Sequence, residues 1–204
     1  MKLWKCSATT LIASLSINAN ASLIARDLDG NTSTVEAYYD DVADLTWLAD
    51  ANYAQTSGFD ADGRMNWADA NSWATGLSIG GVEGWRLATT EPALSGYIQT
   101  SEMGNLFYNV LGNSAYSSPL KNTGPFSNVQ SYYYWTATEY AHRTNHMWSF
   151  NMSNGYQLNE LETFSNYAWA VQSGDVSAVP VPAAVWLFGS GLLGLAGISR
   201  RKKA

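Results

Sequence analysis

One cysteine and two histidines are all that the 204 residues hold of the side chains most used in redox and metal chemistry. Cys6 lies inside the amino-terminal leader inferred below and not at its cleavage point, so lipoprotein attachment is not supported. Once the leader is removed there is no thiol, which excludes disulfides, sulfur-ligated zinc and a cysteine nucleophile and leaves stability to packing. His142 and His146 stand four apart beside Glu139, a spacing that on a helix points two imidazoles at one metal. Their context, EYAHRTNHMW, links two strands; a solvated loop is the better reading, because a metal site needs a third ligand held by rigid neighbours. Cations are scarce too: 11 Lys plus Arg against 17 acids, with Lys2, Lys5, Arg200, Arg201, Lys202 and Lys203 confined to the ends. Residues 22–178 therefore keep five cations against all 17 acids, a net of minus twelve with His neutral. Such a surface repels phosphate backbones, and nucleic acid is excluded as a partner.

The two ends carry the clearest patterns. Lys2 and Lys5 precede the apolar run Leu11 to Ile17 and the small-residue triplet Ala19-Asn20-Ala21. A charged start, a short apolar centre and small residues at minus three and minus one make residues 1–21 a secretory signal peptide, cut by signal peptidase after Ala21. The competing reading is a buried amino-terminal helix. At the other end, residues 179–198 contain no charge, and at about 1.5 Å per residue they match the ~30 Å hydrocarbon core of a bilayer. A transmembrane helix over about 183–198 is expected, with the basic tail 200–203 on the cytoplasmic side. The alternative is a core helix with a solvated tail, against which Gly189, Gly191, Gly194 and Gly197 count as poor soluble-helix residues.

The stretch VPVPAAVWLFGSGLLGL followed by SRRKK resembles the PEP-CTERM sorting signal in its VPxP variant. Val179, Pro180, Val181 and Pro182 match the motif and Arg200, Arg201, Lys202 and Lys203 the basic end; Val181 stands where the name-giving signal has Glu, a place where the variant accepts apolar residues. The resemblance implies an exosortase as export partner, with an inner-membrane-anchored precursor whose domain is then delivered to the cell surface or extracellular matrix of a Gram-negative bacterium. Pro180 and Pro182 keep the stretch extended and open to a protease.

Between the ends, residues 22–176 make one domain of ordinary size. Leu23 to Tyr39 is expected to form strands joined at Asp29-Gly30-Asn31. Trp67, Ala70, Trp73, Ala74 and Leu77 recur at helical spacing after Asn66, a capping residue with Asp69 three positions on. A second helix is signalled by Ser101, then Met103, Leu106, Phe107 and Val110, closed by Gly112. Residues 114–129, rich in Ser, Asn, Gly and Pro, read as a long surface loop. In MWSFNM, Met147, Ser149 and Asn151 alternate with Trp148, Phe150 and Met152 as a half-buried strand requires. A last strand, AWAVQSGD, is expected to bring Trp169 and Val171 into the same sheet.

The set YYDDVADLTWLADANYA, WADANSWATGL, GWRLATT, EMGNLF, YYYWTATEY, MWSFNMSNG and AWAVQSGDV resembles the Lcl carboxy-terminal domain family over residues 38–176. No single motif decides it; seven in the same order do. Ala88 stands where the family's WRLPT turn has proline, and Gln172 where arginine is common. The resemblance implies an α+β fold similar to C-type lectins and formylglycine-generating enzymes: two helices and a small antiparallel sheet. The copper-holding cysteines of the latter are missing here, so the likeness implies fold and not activity.

Candidate chemistry is sparse, and neither a cofactor nor a catalytic set is expected. Asp27-Leu28-Asp29-Gly30-Asn31 and Asp60-Ala61-Asp62-Gly63 begin as calcium loops do, with oxygen ligands at alternate positions. Counting on from Asp60 puts Asn71 where an EF-hand needs its closing carboxylate, so Asp60 and Asp62 are weak calcium candidates and first of all turn builders. Most tryptophans fall in regular elements and are expected in the core, and Arg86 is expected to be an internal ion-pair partner. Tyr132, Tyr133, Tyr134 and Trp135 are candidate ligand-binding residues. A strand alternates its faces, and exposed rings stack on sugars or partner proteins. The expected function is a surface or matrix protein binding an extracellular polysaccharide or other envelope component without catalysis, through a loop-rich face made of residues 114–129 and the strand of Tyr132 to Trp135. The alternatives are a structural adhesion protein of the biofilm matrix and, further off, a polysaccharide hydrolase.

Overall fold

The computed structural model describes residues 22–92, 94–116 and 118–176. Among the described residues ten strands form two five-stranded sheets, with three short α-helices in the connections. The first sheet orders β1 (Leu23–Arg26), β2 (Ala37–Asp40), β3 (Leu45–Leu48), β10 (Ala170–Ser173) and β5 (Arg86–Leu87), all antiparallel. The second orders β4 (Arg64–Met65), β9 (Asn166–Tyr167), β6 (Tyr133–Glu139), β7 (His146–Asn151) and β8 (Tyr156–Leu161). It is antiparallel except where β6 meets β9.

Local chemistry explains the elements. Asp40, fully buried at the end of β2, accepts the amides of Val42 and Ala43 on one carboxylate oxygen and so folds the turn that returns the chain as β3. β3 lies between β2 and β10, so its backbone is paired on both sides, and its run LTWL is buried throughout. Helix α2 (Trp67–Thr75) starts where the spacing predicts: the Asn66 side chain accepts the Asp69 amide at 2.9 Å. The reciprocal bond runs between side chains, from Asn66 Nδ2 to Asp69 Oδ2 at 2.7 Å, and not back to the Asn66 amide. Ser101 caps α3 (Glu102–Asn105) through the Gly104 amide, and the helix runs straight into one π-helical stretch, Leu106–Val110. Helix α1 (Tyr53–Thr56), a single turn, has no counterpart in the sequence pattern.

The core is built on indoles. Trp47, Trp85, Trp135, Trp148 and Trp169 are all fully buried. Trp169 packs edge-on against Trp47 at 5.4 Å and Phe126 at 4.9 Å, and donates from Nε1 to the Leu48 carbonyl at 2.8 Å. Trp135 donates likewise to Met65 O, so rings that supply apolar area also tie distant backbone together. Trp169 sits where the chain passes from β9 in the second sheet to β10 in the first, and Tyr134 of β6 lies 5.9 Å from it.

The expected fold class is thereby corrected: in place of two helices over one small antiparallel sheet stands a β-rich domain of two sheets with helices of four, nine and four residues. β10 joins the first sheet and not the sheet of β6 to β8, because strand composition says nothing of which edge a strand will find. β7 is buried on both faces, so its alternation marks two packed faces and not one wet one. The expected transmembrane helix, the signal peptide and the sorting residues Val179 to Pro182 and Arg200 to Lys203 lie outside the described residues. Among the described residues no helix is long and apolar enough to cross a membrane.

Candidate functional site

The strands bring an aromatic cluster to one end of the second sheet. β6 begins there, β7 ends there, and the turn at 152–155 leads into β8, with Tyr133 opposite Asn151 and Asn151 opposite Tyr156. The loop after the π-helical turn reaches the same end, since the Tyr116 amide donates to Asn154 O at 3.3 Å. Tyr116 is 77% exposed and adopts a left-handed backbone, φ 64°, which a bulky residue takes only when neighbours impose it. Its ring lies 4.1 Å from that of Tyr97, which meets Tyr156 edge-on at 5.0 Å. Beneath them Tyr108 donates its hydroxyl to Gly155 O at 2.8 Å, and burial pushes its pKa up to about 12. A Cβ at Gly155, φ 82°, would run into the Tyr108 hydroxyl and the Phe107 ring, so the turn and the tyrosines are fitted to each other.

The four consecutive aromatics divide. Tyr134 and Trp135 are fully buried, and the Tyr134 hydroxyl accepts the Gln130 amide at 2.8 Å. Tyr132 is 40% exposed and Tyr133 half-buried, their rings edge-on at 5.2 Å. The Arg64 guanidinium lies 4.6 Å from the Tyr132 ring centre and is anchored by Ser165 O. Strict alternation fails because Tyr132 precedes the strand and both faces of the strand meet protein. Tyr116 belongs to the 114–129 loop expected in the binding face, whereas Tyr97 and Tyr156 come from separate segments and carry no signal of their own in the sequence.

The other candidates fall apart or stay structural. Asp60 Oδ1 accepts the amides of Asp62 and Gly63 at 3.0 and 2.8 Å, and Asp62 Oδ1 accepts that of Arg64 at 3.0 Å. These amides hold the Asp60 carboxyl below its usual range, and the loop is a stack of side-chain turns. Carboxylates gather elsewhere: one oxygen each of Asp27, Asp29 and Glu36 lie within 4.8 Å of one another. His142 is exposed in the β6–β7 turn, and His146 Nδ1 is 3.1 Å from Asn159 Oδ1. Arg86 grips Glu102 with two bonds of 2.7 Å, the internal pair expected of it.

The family model of the Lcl C-terminal domain matches residues 36–172, which takes in the whole second sheet, the first sheet apart from β1 and the last residue of β10, and the tyrosine cluster. The chain belongs to that family. No curated protein and no solved structure matches it.

Proposed function

We propose that this Lcl C-terminal domain protein is exported and binds a glycan of the envelope or matrix, without catalysis, at the tyrosine-rich end of its second sheet. The observation that carries this is the Tyr97–Tyr116–Tyr156 cluster. Its outermost ring projects from a loop in a backbone conformation that costs free energy, and exposed rings with hydroxyls are suited to stack on and hydrogen-bond to sugar rings. Tyr132 and Tyr133 extend the same end. The leader of residues 1–21 and the exosortase-type signal of residues 179–203 would take the chain there, and the net charge of minus twelve over 22–178 turns it away from polyanions.

Affinity electrophoresis of the full chain through neutral polysaccharides tests the binding. Retardation that Tyr116→Ala and Tyr97→Ala each weaken at least fivefold is expected; no retardation on any polysaccharide, the host's own included, overturns it. Mass spectrometry of the mature protein tests the export, with Ser22 expected at its start and a carboxy terminus near Val179 to Pro182. An intact Met1 would remove the basis for an outer location. A matrix adhesion protein is the second reading, favoured by the exposed Leu161 and Phe164 at the far end of edge strand β8. Self-association without glycan retention would select it.

A further inference from the structure

A cleft of about 200 Å³ shares no lining residue with the tyrosine end and is walled by Val35 and Glu36 just before β2, by the end of β3 and the residues after it, by helix α1, and by Ile79 and Ser127. Its lining is apolar at Leu48 and Ile79, bears the ring of Tyr53 and the hydroxyl of Thr56, and includes two carboxylates, Glu36 and Asp50. Neither acid has a cation. Among the described residues the ion pairs are Arg26–Asp175 and Arg86–Glu102, which leaves the great majority of the 17 acids unneutralised. Asp50 is fixed by neutral donors alone: the Asn52 amide at 2.8 Å, the Thr56 hydroxyl at 2.6 Å and Asn128 Nδ2 at 2.8 Å. These three bonds give its carboxylate a set position. Glu36 accepts the Leu28 amide on Oε2 at 2.9 Å, and Asp27 and Asp29 stand behind it with carboxylate oxygens within 4.8 Å.

Two ordered carboxylates at a concavity that also holds a tyrosine and two aliphatic side chains suit an ammonium group on a small ring whose faces can lie on Tyr53, Leu48 and Ile79. The low local polarity strengthens the attraction, and the surplus of acid over the whole surface draws the cation in. The volume falls a little below the range of drug-sized pockets and suits a single ring. We propose that this cleft is a subsite for a free amino sugar, with Glu36 and Asp50 as the acids that attract its ammonium. As an assignment of substrate class it rests on the glycan-binding reading, yet it makes a demand of its own that the tyrosine end does not.

Calorimetric titration of the full chain with glucosamine and with the β-linked tetramer of glucosamine, against their N-acetylated counterparts, tests this at low and moderate salt. The free amines are expected to bind at least tenfold more tightly than the acetylated sugars, and less tightly as salt is raised. Glu36→Gln, which still offers an oxygen to the Leu28 amide, should weaken the amines about tenfold while leaving the melting temperature and the retention of neutral polysaccharide unchanged; Asp50→Asn should weaken them likewise. Equal affinity for free and acetylated amines, or indifference to both substitutions, overturns the subsite while leaving the tyrosine site standing. Binding of glucosamine that persists unchanged when Tyr116→Ala has weakened polysaccharide retention upholds it independently. Competition by millimolar calcium that Asp27→Asn relieves would assign the acids to a metal ion instead, and overturn it as well.

Discussion

At the scale of single residues, stability is set by a few polar contacts inside a largely apolar interior. Glu102 holds Arg86 through both carboxylate oxygens and also accepts the Thr89 amide, with only about a fifth of its side chain exposed (19%). Glu102→Gln removes the charge, breaks the two-pronged grip and leaves a half-buried guanidinium short of its acceptor, which should cost about 2 kcal/mol. Urea unfolding checks it, and an unchanged midpoint would mean that the Arg86 side chain re-pairs. The acid limb of stability has two local sources. The Asp62 and Gly63 amides hold Asp60 below the ordinary carboxylate range, and the Arg26 guanidinium does the same for Asp175. Both groups are more acidic folded than unfolded, so their contribution is complete above pH ~4 and fades as pH drops through their lowered folded values. Melting temperatures between pH 7 and pH 2 should fall on that limb, and Asp60→Asn should flatten it. Tyr108 acts in the opposite direction. Its phenol is raised to about 12 in the fold, so its contribution is whole below pH ~10 and is lost as pH climbs from there through 12.

At the scale of elements, legibility followed chemistry that is local in sequence. The Asn66 and Ser101 caps and the apolar spacing of α2 lie within a few residues of a readable signal, and the structure has them; Arg86 is legible as an internal ion-pair residue, but its partner Glu102 stands 16 residues on and has no signal in the sequence. What could not be read depends on partners far along the chain. Trp169 and Val171 have good strand composition, but the choice of β3 and β5 as neighbours is made by sheet geometry and not by the strand's own residues. Tyr97, Tyr116 and Tyr156 look unremarkable one by one, and become a cluster only when the β7–β8 turn and two loops meet. That turn gives a direct test. Gly155→Ala forces a Cβ toward Tyr108 and Phe107 at a backbone angle that L residues avoid, so the tyrosine end should be displaced along with the loss of about 2 kcal/mol or more. Asn66→Ala removes a helix cap far from that end, should cost about 1 kcal/mol, and should leave glycan retention untouched. If the two variants weakened retention equally, global softening and not the shape of the turn would be responsible.

At the scale of the whole molecule, the first sheet is closed by the two ends of the described chain. β1, β2 and β3 come from its start, β10 from its finish, and the Thr46 hydroxyl donates to Gly174 O across 128 residues at 2.7 Å. β10 is the central bridge, pairing with β3 on one side and β5 on the other, and Trp169 just before it fills the core between Trp47 and Phe126. Without β10 the strands β3 and β5 would expose unpaired backbone and the Trp47 face would be open to water, a loss no local contact can offset. Contacts so distant in sequence also make folding wait on the last strand. A chain of residues 22–165, lacking β9 and β10, should therefore show no cooperative thermal transition and should bind hydrophobic dyes, whereas a chain of residues 22–176 should melt in one sharp step. A sharp transition in the shorter chain would mean that the second sheet folds on its own, and that the long-range closure adds to stability without being required for it.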